Sequence, residues 1–311
     1  MKIGISYSLF DGEELLKRSV ETLRECGVDY VNIIWQKISY FGQPASEGIE
    51  DLLADLVRSK LVDELLHYAP KYSGKPAFTL YTTKFAKMDE LAKRNLGLEL
   101  ARQAGCSHFL SIDADEFYFP RQFRAAAKFI QKNDIDYSVV EIQPYHLKPT
   151  FALHPVRDNL HVPFIFNIEK WPDCWLEYDS MSFPQSCYTD TTRRVNMTLD
   201  KQRLHIFPRD EILMHHMRTV RKSLCRKYTN STHFQSANAR RVQRLLLQAR
   251  EMKGVFEGTI SEVENHFNIH IDPSDPFVYN KPYRTWQTPV LWVNNFISSK
   301  LFKPLERTIY R

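Results

Sequence analysis

The chain has 311 residues, 43% of them hydrophobic and 25% charged, with a formal net charge of +5. That composition excludes a disordered chain and is enough for a sizeable core in one or two domains. The mild positive balance suits an anionic small ligand or a membrane surface at least as well as nucleic acid, which usually calls for a denser basic patch.

The N-terminal half alternates in period. Residues 2–7 read as a buried strand, 12–26 as an amphipathic helix ended by Gly27, and 29–36 as a second strand. Leucines at 52, 53, 56, 61, 65 and 66 predict one helix over 48–69. Strand 77–83, helix 85–105, strand 108–113, helix 121–133 and strand 136–145 follow. This alternation predicts an α/β fold of three layers around a mainly parallel sheet, with its ligand beyond the carboxyl ends of the strands. After about residue 145 the rhythm becomes irregular, with weak strands near 162–171 and 201–208. The run "DEILMHHMRTVRKSLCRKY" starts extended and becomes a basic helix, and another helix is expected over 236–254. Residues 1–145 are expected to form a ligand-binding core, and 146–311 an irregular α+β part packed on it.

Five scattered cysteines with no C-x-x-C pair argue against a disulfide framework or a zinc knuckle. The N-terminal run reads as a strand rather than a signal peptide. No apolar run approaches the roughly 20 residues of a membrane span. A cytoplasmic protein is expected. The aromatic and basic tail, 286–311, has two readings: a packed terminal helix, or a segment lying at the inner face of a membrane.

The chemistry concentrates in "HFLSIDADEFYFP", residues 108–120. Asp113, Asp115 and Glu116 end an apolar strand and are enclosed by aromatic residues. Solvated helix-capping is one reading of such a pair. Partial burial is the other, and buried like charges require a compensating cation; hard oxygen ligands suit Mg²⁺ or Mn²⁺.

"FLSIDADEFY", preceded by "KRNLGLELARQAG", resembles the D-x-D region of GT-A glycosyltransferases, especially the family-2-like group. The wider pattern, with "YSLFDGEELL" early and "MHHMRTVRK" late, resembles bacterial surface-polysaccharide transferases. The resemblance implies a GT-A core that binds a nucleotide-sugar donor and transfers the sugar to a hydroxyl of a glycan or lipid-linked glycan. It implies that Asp113 faces the ribose or the metal through water. Asp115 would ligate a Mn²⁺ or Mg²⁺ ion bridging the diphosphate. Ser6, Tyr7 and Asp11 would lie beside the nucleotide, and Lys93, Arg94 and Asn95 would point at it. A histidine, His215 or His216, would complete the metal site; in an extended run these two face opposite sides, and His216 is preferred. Arg218, Arg221 and Lys222 would share a helix face and neutralise the leaving diphosphate. An inverting reaction needs a general base; Asp179 is the candidate carried forward, with Glu169, Asp173, Glu177 and Asp190 as others. The second strand ends in "IIWQK", without the acidic residue many relatives use on the ribose or base.

Two rival readings stand beside this one. A haloacid-dehalogenase-like phosphohydrolase also uses D-x-D after a strand, but Phe117 stands where that class places Thr or Val. A non-catalytic carbohydrate-binding protein would keep the fold without turnover.

Overall fold

The computed structural model describes residues 1–71, 82–153, 160–178, 188–189, 192–197, 203–230 and 260–271. The sheet begins with β1 (Ile3–Leu9), followed by α1 (Glu13–Glu25), β2 (Tyr30–Trp35), α2 (Ile49–Arg58) and β3 (Glu64–His67). Next come α3 (Thr82–Gln103), β4 (His108–Ile112), the short β5 (Glu116–Phe117), α4 (Pro120–Lys132) and β6 (Tyr137–Pro144). The later elements are β7 (Phe151–Leu153), β8 (Leu160–Asn167), β9 (Tyr188–Thr189), β10 (Leu204–Ile206), β11 (Leu213–His216), α5 (Leu224–Asn230) and β12 (Ile260–Glu262).

The main sheet runs β3-β2-β1-β4-β8-β6-β11-β5, with β10 also on β6 and β9 on β8; β12 pairs separately with β7. β1, β2, β3 and β4 are mutually parallel, β8 enters antiparallel between β4 and β6, and β11 returns parallel to β6. The expected α/β class is what the structure shows. β8, β10 and β11, from beyond residue 145, belong to this same sheet.

Apolar residues on both faces explain the layers. Ile3, Ile5, Tyr7 and Leu9 of β1 pack with Leu16, Val20 and Leu23 of α1 and with Leu53 and Leu56 of α2; Phe123 and Ile130 of α4 complete that layer. On the opposite face Leu98 and Ala101 of α3 pack against Phe109, Tyr137, Val139 and Phe166. Strands covered on both sides lose the polar alternation of a half-exposed sheet, which is why β2 is buried along its whole length.

Gly27 and Gly105, with φ of 87° and 70°, follow the ends of α1 and α3 in the left-handed conformation that stops a helix. The long helix expected over 48–69 is instead α2 plus β3. The chain turns at Ser59 and Lys60, where Lys60 has φ 59°, and Leu65 and Leu66 then pair with Ile33 and Ile34 of β2. Most of the strand expected at 77–83 lies outside the described residues, and Thr82 already belongs to α3. The helix expected at 236–254 and the tail also lie outside them. Cys26, Cys106 and Cys174 are buried free thiols. Among the described residues, no helix is long and apolar enough to cross a membrane.

Candidate functional site

β1 lies between β2 and β4. The helix after β1 packs on one face of the sheet, and the helix before β4 on the other. Chain connections diverging to opposite faces leave a crevice at the carboxyl ends of two adjacent parallel strands, where α/β sheets bind ligands. A pocket of about 720 Å³, its open mouth included, occupies that place. Ser8, Phe10 and Asp11 line it from the end of β1, and Asp113, Ala114 and Asp115 from the end of β4. Glu90, Lys93 and Arg94 of α3 form one wall; Arg221, Lys227 and Asn230 form another, and Tyr40 closes it.

The acids are matched by cations of the protein itself. The Asp113 carboxylate accepts from Arg94 Nη2 at 3.0 Å and from Arg193 Nη2 at 2.6 Å. Asp115 Oδ2 accepts from Arg221 Nη2 at 2.5 Å and from Lys227 Nζ at 3.1 Å, with His216 Nε2 at 3.5 Å. Glu116 forms a two-pronged pair with Arg193 and also accepts the backbone N–H of Asp113 at 3.1 Å. Burial works to raise the Asp113 carboxyl, but Arg193 and Arg94 overcome it and bring it down to about 2. Burial likewise opposes ionisation of Asp115, and Lys227, Arg221 and His216 hold it well below the usual carboxylate range.

Lys93 is buried in the same wall. Its Nζ donates to Leu9 O at 2.7 Å and to Gln36 Oε1 at 3.0 Å. Burial first, and the Arg94 charge second, push its ammonium down to about 7, while Glu90 and Asp113 pull the other way. Gln36 stands at the end of β2, where an acidic residue was missing from the sequence pattern.

Several buried polar atoms of the pocket-lining residues have no protein partner among the described residues. They are Arg221 Nε and Nη1, Tyr40 Oη, Asp11 Oδ2 and Asn230 Oδ1. Buried donors and acceptors without partners are rare in folded proteins. Gly12, with φ 96°, lets the Arg221 guanidinium pass beside the start of α1: a Cβ at Gly12 would overlap Arg221 Nη1.

The other expected site residues are placed as follows. Ser6 faces α3, tight against Gly97, and Tyr7 points to the other face, where its hydroxyl meets Ser19 Oγ at 2.8 Å inside the core. Neither lines the pocket. Asp11 does; it accepts the Gly12 N–H and lies 3.6 Å from Arg226. Asn95 is turned away, exchanging two hydrogen bonds with the Leu176 backbone. His215 and His216 do face opposite sides of β11. His216 approaches Asp115, whereas His215 receives or donates a hydrogen bond with the Tyr145 hydroxyl at 2.9 Å and stacks edge-on with Phe119 and Phe267. Burial pushes the His215 imidazole down to about 3, which favours its neutral form among these aromatic rings. Arg218, Arg221 and Lys222 do not share a helix face: they precede α5, in the turns after β11. Of the three, Arg221 lines the pocket, while the Lys222 N–H donates to Glu14. Asp179 and Asp190 lie outside the described residues, and Glu169, Asp173 and Glu177 are exposed.

A Mn²⁺ or Mg²⁺ ion does not fit the donors as arranged. Both oxygens of Asp113 accept from guanidinium groups, and Asp115 Oδ2 is shared by Arg221 and Lys227. An octahedral ion at about 2.0–2.1 Å from these oxygens would have to displace at least one cation. Among the described residues no group of three or more His, Cys, Asp or Glu could hold a metal.

Arg193 and Lys227 were not singled out from the sequence. "TDTTRRVN" has no periodicity to mark Arg193, and Lys227 is one of several cations on a basic helix. The signal that existed was indirect: clustered acids in an apolar setting need positive partners.

No family model and no curated protein matches the sequence. Solved structures similar to it include S. aureus TarS, at 12% identity and TM-score 0.41, covering 83% of this chain and 45% of that one. The 1–349 form of TarS is similar at 12% identity and TM-score 0.42, covering 96% and 81% of the two chains. The same form in complex with UDP-GlcNAc is similar at 11% identity and TM-score 0.40, covering 70% and 59%. The chain thus spans under half the length of the first of these.

Proposed function

We propose that the protein is a GT-A-type glycosyltransferase that moves a sugar from a nucleotide-sugar donor to a hydroxyl of a glycan or lipid-linked glycan. The observation that carries this reading is the crevice between β1 and β4, where the D-x-D loop meets Arg221 and Lys227. The unpartnered atoms fit such a donor. Arg221 Nε and Nη1 and the Tyr40 hydroxyl offer donors to phosphate oxygens, and Asp11 Oδ2 and Asn230 Oδ1 offer acceptors to sugar hydroxyls.

In this mechanism a nucleoside diphosphate departs while positive charge develops at the anomeric carbon. Fixed cations that meet the growing negative charge lower the barrier, and they do so most strongly in a partly desolvated site. Arg221 and Lys227 would supply that field, and Asp115 would fix their geometry. Asp113, clamped by Arg94 and Arg193, would accept from the ribose or the donor sugar on its exposed side. The expected metal dependence is not carried into this reading, because the carboxylates already have cationic partners. Asp179 stays in it as the general base of an inverting reaction. It directly follows Tyr178, whose ring lies 4.3 Å from Lys87 Nζ on α3, the helix that walls the pocket. The acceptor, and any contact with a membrane, belong to the same proposal.

The haloacid-dehalogenase-like reading needs Asp113 as a nucleophile. Two guanidinium groups share both of its oxygens, which lowers its reactivity, so that reading loses support.

Incubation with UDP-, GDP-, CDP- and dTDP-sugars tests the proposal, with UDP-GlcNAc as the first donor. Release of the matching nucleoside diphosphate, reduced about a hundredfold or more in Asp115→Asn, is expected. Release of inorganic phosphate from simple phosphoesters, with no turnover of any nucleotide-sugar, would overturn it.

A further inference from the structure

We infer that Arg221 and Lys227 bind the donor's diphosphate directly, in place of a divalent cation, and that Asp115 is the positioning residue that aims them. The inference rests on the nucleotide-sugar reading above and adds what holds the phosphates.

Three observations carry it. Asp115 is 1% exposed and its Oδ2 accepts from Arg221 and Lys227, with His216 beside it, so this oxygen is already engaged by protein cations. Arg221 is itself buried, at 4% exposure, yet only Nη2 is used; Nε and Nη1 have no protein partner among the described residues while the side chain lines the pocket. A buried guanidinium with two unused N–H groups beside a cavity is suited to an anion with several acceptor oxygens. Finally, the chain makes room for this arginine with a glycine. Gly12 adopts φ 96°, and any side chain there would collide with Arg221.

The charge inventory points the same way. Around the D-x-D loop, Asp113, Asp115 and Glu116 face Arg94, Arg193, Arg221 and Lys227. Asp11 and Glu90 line the same pocket, so its charges are close to balanced, and the carboxylates of the D-x-D loop already have these cations against them. A diphosphate brings negative charge to those same cations. Lys227 carries the more adaptable half of the clasp, because its Nζ reaches Asp115 at 3.1 Å from a side chain that is 23% exposed.

The test is calorimetric titration of the full-length protein with UDP, GDP, CDP and dTDP, in EDTA and in MnCl₂. At least one nucleotide should bind in EDTA, with Mn²⁺ changing its Kd by less than about threefold, and Lys227→Met should weaken that binding by about tenfold. Lys227 is partly exposed, so this variant should fold. Arg221→Met, checked for an unchanged circular-dichroism spectrum, should weaken binding at least as much. Asp115→Asn should also weaken it, with no rescue by Mn²⁺, which separates a positioning role from metal ligation. Binding that requires Mn²⁺ or Mg²⁺ would overturn the inference and leave the nucleotide-sugar reading standing. Binding in EDTA that is indifferent to Lys227→Met would overturn the inference too. If no nucleotide binds under either condition, the nucleotide-sugar reading fails and the inference with it.

Discussion

Arg193 grips Glu116 with both prongs of its guanidinium, Nη1 to Oε2 at 2.7 Å and Nη2 to Oε1 at 2.6 Å, and both side chains are almost wholly buried. The same Nη2 reaches Asp113, so one arginine braces the loop from both sides. Removing one partner of a buried ion pair strands the other charge, which costs about 3–5 kcal/mol. Arg193→Ala should therefore lower the free energy of urea unfolding by about that amount. Arg193→Lys should recover only part of it, since an ammonium cannot reproduce two parallel hydrogen bonds. An Arg193→Ala protein as stable as the parent would show that the pair contributes nothing net.

Gly97 faces β1 so closely that a Cβ would overlap Ser6 Oγ and come within 3.1 Å of Asn32 Oδ1. Gly97→Ala must push α3 away from the sheet. Overpacking of this kind costs about 1–3 kcal/mol, visible as a lower Tm. The double variant Gly97→Ala with Ser6→Gly should recover much of the loss, and failure to do so would place the strain elsewhere.

Burial lowers four histidines, His108, His146, His205 and His215, and the two with the large shifts, His108 and His215, weigh most on the acid limb of stability. Burial is the first cause in both, and it pushes His108 down to about 4 and His215 down to about 3. An unfolded histidine takes up its proton near pH 6.5, so between that value and the folded value the unfolded state binds more protons. Stability is then complete above about pH 6.5 and falls as the pH drops towards 4 and 3, by a few kcal/mol in all. Asp113 adds to the loss lower down: held at about 2, it stabilises fully above pH 3.8 and less as the pH approaches 2. Urea unfolding between pH 7 and 4 should show this slope, and His215→Phe should flatten it.

Lys93 gives the pocket its own pH response. With its ammonium brought down to about 7, the side chain loses charge just above neutrality. An anionic ligand favours the charged form, so nucleotide affinity should decline as the pH rises past 7, with a proton taken up on binding. Lys93→Met should remove that inflection; an unchanged profile would detach Lys93 from the ligand.

Sequence periodicity was a sound guide wherever an element had two clean faces. α1, α4, β1, β2, β4 and β6 lie within a residue or two of where the pattern put them. It failed at 48–69 because leucines kept a helical spacing through the turn at Lys60, and only pairing with β2 makes the second half a strand. It also gave no sign that the later strands join the same sheet, since antiparallel insertion of β8 between β4 and β6 has no local signature. In the site, the acids announced themselves through their apolar surroundings. Their partners did not, because an arginine in an irregular stretch looks like any solvated arginine until long-range packing brings it in. Asn95 shows the converse: the resemblance placed it at the ligand with Lys93 and Arg94, but one helical step turns it to the Leu176 backbone.

The cations that complete the D-x-D loop come from far along the chain. Arg193 is 77 residues from Glu116, and Arg221 and Lys227 are 106 and 112 residues from Asp115. During synthesis the acidic loop leaves the ribosome long before these partners exist, and for that interval Arg94 is the only one of the four available to it. A nascent or truncated polypeptide ending near residue 145 would hold repelling carboxylates in a half-built cleft, and the pocket is complete only after the late strands and α5 have docked. The matched charges of the loop are thereby tied to segments made late, and a protein interrupted early would carry the motif without its partners.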